Sequence, residues 1–279
     1  MKILSTVVKD VYAYVSKKPN DGGPALRMSS LGEKCMRKLW YKERQPEKAE
    51  PLFGHTLMNF ENGHLLEDYV LDMVAKAGHT VEGRQDEVEL YGVKGHIDAI
   101  IDGVLVDVKS ANSRSIEKFK EHRLESDDPF GYLTQLFGYL DALQGDPRLK
   151  VKGSAAFLAV DKELGHLYLD IYRRPEGLDF KEKIDGIREA LTKDEPPPRA
   201  YKDEADGRSG NRQLSLACRY CQYKTTCWAD ANSGAGLRKF IYSFGPRWLT
   251  HVEREPNVHE EQRTVLGSKV EQEPKTESK

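Results

Sequence analysis

The spacing of apolar residues divides the chain into a helical opening, a strand-rich middle and a polar end. Residues up to about 28 hold a short amphipathic stretch and then a loop. A helix is predicted from Ser29 or Ser30 through Tyr41, taking in Cys35, Arg37, Lys38 and Trp40. The next helix is predicted from about Asn59 to Ala77, ended by Gly78. Its Leu66, Tyr69, Val70, Met73 and Val74 recur at the three- and four-residue steps of a core-facing stripe. His64, Asp68, Asp72 and Lys76 form the opposite polar row, with Glu67 on the seam between the two.

The period then drops to two. Residues 87–92, 95–101 and 104–110 read as successive strands, the last two joined at Asp102-Gly103, a favoured two-residue hairpin turn. A weak helix over Ser115–His122 precedes a better one over Pro129–Leu143. Strands at Ser154–Val160 and His166–Tyr172 follow, then a charged helix at Phe180–Thr192 that ends in a proline-rich breaker. From about Pro256 the chain has hardly anything apolar to bury and is expected to be disordered.

Composition narrows the function classes. Of 279 residues, 38% are hydrophobic and 32% charged, which suits a soluble globular protein. The 43 basic and 45 acidic residues leave a net charge of −2, so an anion-binding surface must be local rather than a general basic coat. No apolar run approaches the roughly 20 residues of a membrane helix, and the mixed N-terminus does not read as a secretory signal. The expected location is the cytoplasm, or the host cytoplasm if the protein is viral, with no membrane partner. Four cysteines, one at Cys35 and three at Cys218, Cys221 and Cys227, suit a metal or cluster site better than two disulfides.

The predicted hairpin carries the chemistry. With Asp102 and Gly103 as turn residues, Ile101 faces Val104, Ile100 faces Leu105, Ala99 faces Val106, and Asp98 faces Asp107. Directly opposite like charges destabilise a hairpin, so something must compensate them. Lys109 lies two residues past Asp107 and points to the same face. Charges on the outer face of an antiparallel sheet are usually solvated, but Ile100 and Leu105 share this face, which argues for burial. Two carboxylates and an ammonium so placed form a site for a divalent cation.

These residues resemble a family. Gly95-His96-Ile97-Asp98, then Val106-Asp107-Val108-Lys109-Ser110, then Gln135 and Tyr139 one helical turn apart, are similar to the RecB-type branch of the PD-(D/E)XK nucleases. Cys35 followed by Arg37, Trp40 and Tyr41, with the trio Cys218, Cys221 and Cys227, resembles the iron–sulfur members of that branch, which include CRISPR-associated nucleases of spacer acquisition and viral relatives. The resemblance implies an α/β fold with a restriction-endonuclease-like core, a mixed central sheet flanked by helices, and a C-terminal cysteine segment closing onto an N-terminal helix. It implies four regions: 1–58 carrying the first cluster cysteine, a nuclease core at 59–193, an iron–sulfur segment at 194–250 and a polar tail at 251–279. Asp98 and Asp107 become metal ligands, Lys109 the residue that orients or activates the attacking water, and Gln135 with Tyr139 a pair that supports the site and the DNA.

The family's usual histidine, four residues after a helix glycine, is replaced here: Gly63 plus four is Glu67, while His64 lies on the polar row. Glu67 is therefore the expected third ligand, with His64 the alternative. Oxygen donors alone suit Mg²⁺ or Mn²⁺. For the four cysteines, spacing alone favours tetrahedral zinc, whereas the resemblance favours one [4Fe–4S] cluster. Arg114, Lys118, Lys120, Arg123, Arg37, Lys38 and Lys42 are candidates for a phosphate track. The expected activity is a metal-dependent DNA exonuclease on single-stranded ends, in CRISPR spacer processing or viral recombination and repair. Recombination or CRISPR integration proteins would be its partners. Two readings from other classes are a catalytically inactive DNA-end-binding module and a zinc-stapled nucleic-acid-binding protein.

Overall fold

The computed structural model describes residues 3–16 and 23–261. Contacts divide the chain into two compact units, one ending at Ala200 and the other beginning at Tyr201.

The first unit begins with helices α1 (Ile3–Val15), α2 (Met36–Arg44) and α3 (Gly54–Lys76). A central five-stranded sheet follows, in the order β1 (Val81–Glu82), β4 (Ala99–Ile101), β5 (Val104–Ala111), β6 (Ser154–Asp161), β7 (Leu167–Arg173). Only the β5–β6 pair is parallel, so the sheet is mixed. A separate ribbon pairs β2 (Glu87–Leu90) with β3 (Val93–His96). Helices α4 (Ser113–Lys120), α5 (Tyr132–Ala142) and α6 (Phe180–Thr192) complete the unit.

Side-chain alternation assigns the two sheet faces. Val106, Val108, Ala156, Leu158 and Val160 pack with Val70 and Leu71 of α3. On the opposite face, Asp107 is the register partner of Phe157, whose ring meets Phe119 of α4 and Tyr132 of α5. Helix α6 follows from an Asp179 cap that accepts from Glu182 N at 3.0 Å, and it buries Phe180, Ile184, Ile187 and Leu191 at helical spacing. Helix α2 holds the far end of the unit: Trp40 Nε1 donates to Lys193 O at 2.7 Å, and Arg37 donates to Pro197 O at 2.9 Å.

Residues 28–32 support the site from beneath. Met28 and Leu31 are fully buried. Gly32 approaches Gly131 so closely that a side chain on either would run into the other's carbonyl. Gly131 also takes positive φ just before α5, a conformation that costs glycine little.

A buried polar network centres on Asp170. Buried Asp170 accepts from Tyr172 Oη at 2.6 Å, and His122 Nδ1 lies 2.6 Å from its other oxygen. Tyr172 Oη in turn accepts from Leu124 N at 3.2 Å, and its ring stacks on His122 at 4.3 Å. The segment that leaves α4 is thus tied to β7.

Several expectations need correction. The strand predicted over 95–101 is two strands in two sheets, because the chain leaves β2 and joins β5 at Ile97-Asp98; Ile97 N donates instead to Asp86 O at 3.1 Å. The first predicted helix is a 3₁₀ turn at Met28–Ser30 and then α2, with Cys35 as the N-cap rather than inside. Helix α3 starts at Gly54, earlier than expected. Its stripe is rotated, with Leu71 buried and Tyr69 exposed. The loop expected before residue 28 lies partly outside the described residues, as do residues 262–279 of the expected tail.

The second unit holds strands β8 (Glu204–Ala205) and β9 (Arg212–Gln213) and the short helices α7 (Leu216–Arg219) and α8 (Lys224–Cys227). Strands β10 (Arg238–Tyr242), β11 (Gly245–His251) and β12 (His259–Glu261) follow. The strands form one sheet in the order β12-β10-β11-β9-β8, so part of the tail expected to be disordered is paired strand. Among the described residues, no helix is long and apolar enough to cross a membrane.

The Asp170 network yields the first prediction. Tyr172→Phe leaves Leu124 N without its acceptor and removes a donor from a buried carboxylate, which should lower unfolding free energy by about 1–3 kcal/mol. Urea denaturation of both proteins measures this, and an unchanged midpoint would show that the network does not stabilise the fold.

Candidate active site

The β4–β5 hairpin forms in the predicted register, with Ala99 opposite Val106, Ile100 opposite Leu105 and Ile101 opposite Val104. Its turn residues Asp102 and Gly103 both have positive φ, at 51° and 87°, as a type I′ turn requires. The turn is anchored by Asp102 Oδ1, which accepts from Thr80 N at 2.9 Å. Asp98 falls one residue before β4, and its Oδ2 accepts from Val108 N at 2.7 Å. That backbone bond brings Asp98 to Asp107 across the hairpin.

Asp107 is buried, with only 4% of its surface exposed. Lys109 Nζ lies 2.5 Å from its Oδ2. The approach is close but poorly angled, since the same oxygen makes no hydrogen bond of good geometry. Burial, then the Asp107 charge, then that of Glu67 push the Asp98 carboxyl up to about 8. Burial alone would depress the Lys109 ammonium, but Asp107 and Asp98 outweigh it and hold the pKa above its ordinary value.

Glu67 reaches this group from α3. Its carboxyl is raised chiefly by burial and also by Asp107, against a hydrogen bond from Gln85 Nε2 at 2.5 Å and the His64 charge. Glu67 is half-buried while His64 is exposed, the relation predicted from the helix seam. Tyr139 is buried on α5, and its hydroxyl is pushed up to about 12 by burial and then by Asp107 and Asp98. A side chain at Gly95 would collide with Met28 and with the Tyr139 hydroxyl, which explains the glycine before His96. Gln135 is half-buried one turn earlier on α5.

Two neighbours escaped sequence reasoning. Tyr132 carries Lys109 Nζ 5.1 Å above its ring centre. Its position three residues before Gln135 was the available signal. Gln85 sits in a turn at positive φ, and nothing in the pattern marks it. The expected phosphate track is largely engaged within the protein: Lys118 pairs with Asp127, Lys120 with Glu117, Arg123 with Glu121 and Lys38 with Glu33. Lys42 Nζ donates to Pro24 O at 3.3 Å.

The Glu67 and Asp98 carboxyls are raised by burial and in part by the charge of Asp107, which itself has a buried oxygen lacking a good hydrogen bond. These oxygens match the donors a hard divalent ion takes. Among the described residues no histidine, cysteine, aspartate or glutamate side chains form a closed metal-holding group of three or more. The Lys109 ammonium supplies the counter-charge instead.

The family model of the PD-(D/E)XK nuclease superfamily matches residues 6–228. The chain belongs to that superfamily. The match takes in Glu67, Asp98, Asp107, Lys109, Gln135 and Tyr139. No match was found among curated proteins. Solved structures similar to the chain include an alkaline exonuclease from Laribacter hongkongensis, at 15% identity and a TM-score of 0.42, covering 60% of this chain and 87% of that one. A phage-related exonuclease from Haemophilus somnus 129PT shows 17% identity and a TM-score of 0.34, covering 48% and 67%.

Within this superfamily member the cysteines fall in both units. Cys35 caps α2, and the other three line a short run of the second unit, where Cys221 N donates to Cys218 O at 3.1 Å. Cys218 and Cys227 pack against a small core of Leu214, Trp228, Ala231 and Leu237. All four are half-buried.

The crowded carboxylates make stability depend on pH. The folded protein keeps a proton on Asp98 between its ordinary value near about 4 and its raised value. The unfolded chain releases that proton, so without divalent metal stability falls as pH rises through this window. Asp98→Asn should therefore melt at least about 3 °C above the parent at pH 8 in EDTA. The gap should close near pH 4 and also when Mg²⁺ or Mn²⁺ stabilises the parent. Thermal melts across pH check this; a variant that melts lower at pH 8 would contradict it.

Proposed function

We propose that this chain is a divalent-metal-dependent DNA exonuclease acting on single-stranded ends. The observation that carries the reading is the buried Asp107 carboxylate paired with Lys109 and crowded by Asp98 at the end of one hairpin. Glu67, Asp98 and Asp107 would hold Mg²⁺ or Mn²⁺, which when bound would supply positive charge at the phosphodiester and a water of lowered pKa. Lys109, kept protonated by the neighbouring carboxylates, orients the attacking water and meets negative charge at the phosphate. Tyr139 fixes the position of the carboxylates from α5, and Gln135 faces the strand. Arg114, which makes no ion pair among the described residues, offers a contact for the backbone.

Cys35, Cys218, Cys221 and Cys227 hold one [4Fe–4S] cluster in this reading. Support comes from the half-buried cysteines and from the apolar core beside Cys218 and Cys227. The cluster serves structure, tying distant parts of the chain. The protein belongs to the iron–sulfur RecB-type branch of its superfamily and trims DNA in the cytoplasm, for CRISPR spacer integration or for viral recombination and repair.

Cleavage of 5′- and 3′-labelled single- and double-stranded DNA with Mg²⁺ or Mn²⁺ tests the catalytic reading. Asp107→Ala and Lys109→Ala should each lower turnover by about three orders of magnitude, equivalent to roughly 4 kcal/mol. Glu67→Gln should do the same while His64→Ala keeps most activity. Full cleavage by Asp107→Ala would overturn the assignment.

A separate measurement addresses the cluster. Protein purified without oxygen should be brown and carry about four irons per chain, and Cys→Ser at any of the four should make it sensitive to protease. A colourless preparation with one zinc per chain would reject the cluster and leave the nuclease site in place.

A further inference from the structure

A cavity of about 230 Å³ opens beside Lys109, bordered by Ser115, Lys118, Phe130, Tyr132 and Lys162. Aromatic rings line it in series. Buried Phe119 stacks on Tyr132 with centres 6.3 Å apart, and Tyr132 meets Phe130 at 5.4 Å. The Lys109 ammonium already covers one face of Tyr132, so the ring left open to a ligand is Phe130, which is 60% exposed.

The exposure of Phe130 is built into a fixed turn. Asp128 accepts from Tyr132 N and Leu133 N, both at 2.9 Å, and so caps α5. Lys34 Nζ donates to Asp128 O at 2.6 Å, and Gly131 is held against Gly32. A large apolar side chain presented outward on a rigid turn, one ring away from the reactive lysine, is a stacking platform. Also on the cavity lining, Lys162 is tethered by its backbone N to Ala111 O at 2.9 Å. Its side chain is exposed and makes no ion pair among the described residues. Lys118, by contrast, is paired with Asp127.

A flat hydrophobic ring and an unpaired ammonium on the lining of one small cavity match a nucleobase attached to a phosphate. The volume is below the roughly 300–1,000 Å³ of sites that enclose drug-sized ligands, so it takes one base and excludes a base pair. We infer that this cavity receives a single unstacked nucleotide adjoining the scissile phosphate, with its base on Phe130 and its backbone charge met by Lys162. The inference rests on the reading of DNA as substrate and sharpens it: a duplex end must fray before its terminal nucleotide enters.

The test uses the full-length protein in EDTA, where cleavage is silent, and a short single-stranded oligonucleotide carrying 2-aminopurine at its terminal position. Wild type should quench the fluorophore on binding. Phe130→Ala should weaken binding about 5- to 150-fold, the range of one lost base–aromatic stack, and should lose the quench. Phe130→Trp should restore both. Lys162→Gln should weaken binding and reduce the slope of log affinity against log salt by about 0.7, as expected for one phosphate contact on a single strand.

Phe130→Ala with affinity within twofold of wild type and an intact quench would overturn the inference. Equal affinity for Lys162→Gln with an unchanged salt slope would remove its phosphate contact. Binding that depends on Phe130, in a wild-type protein that fails to cleave with Mg²⁺ or Mn²⁺, would support the cavity and overturn the catalytic reading instead. Cleavage by wild type and Phe130→Ala at the same KM would overturn the cavity alone.

Discussion

Two carboxylates held together by backbone register are the constraint around which this protein is organised. Asp107 is fixed in the middle of a buried strand, and Asp98 is brought to it by a hydrogen bond from Val108 N. Neither can retreat without breaking the β4–β5 ladder. Their repulsion is offset within the same strand by Lys109 and is open to further relief by a divalent cation. Such an arrangement disfavours the resting fold and favours whatever brings positive charge to it, the usual relation between a reactive centre and stability.

The layers around the hairpin give that constraint its direction. Helix α3 covers one face with Val70 and Leu71 and delivers Glu67 toward the carboxylates. Helices α4 and α5 cover the other, where Phe119 meets Phe157 of β6 and Tyr132 lies against the Lys109 ammonium. Burial on this face strengthens each charge–charge interaction, because less water screens it. The sheet thus sets positions, and the helices set the local dielectric.

How much of this was legible depended on whether a feature was local. The Asp102-Gly103 turn specified the register of β4 and β5, and register placed Asp98, Asp107 and Lys109 by counting. The boundaries of α6 follow from Asp179 and the spacing of Phe180, Ile184, Ile187 and Leu191, all within one helix. The break at Ile97-Asp98 was not legible, since it arises where one strand exchanges partners between two sheets. Strands β8 to β12 were missed for a similar reason: two of them have only two residues, and their pairing is non-local. The tail was judged from its composition, yet β12 pairs with β10 through backbone groups that composition does not report. Gln85 and the ion pairs of Lys118 and Arg123 likewise depend on tertiary placement.

The close approach of Gly32 to Gly131 bears on where this chain can be cut. A boundary after residue 58 would appear to release an intact catalytic core, since every charged site residue lies beyond it. It would also remove Met28, Leu31 and Gly32, the surface on which β3 and the start of α5 rest. The shortened chain would retain its reactive groups but expose the underside of the helix that carries Tyr132 and Tyr139. The opening segment is therefore a foundation of the catalytic unit, and a minimal version of the enzyme has to begin before Met28.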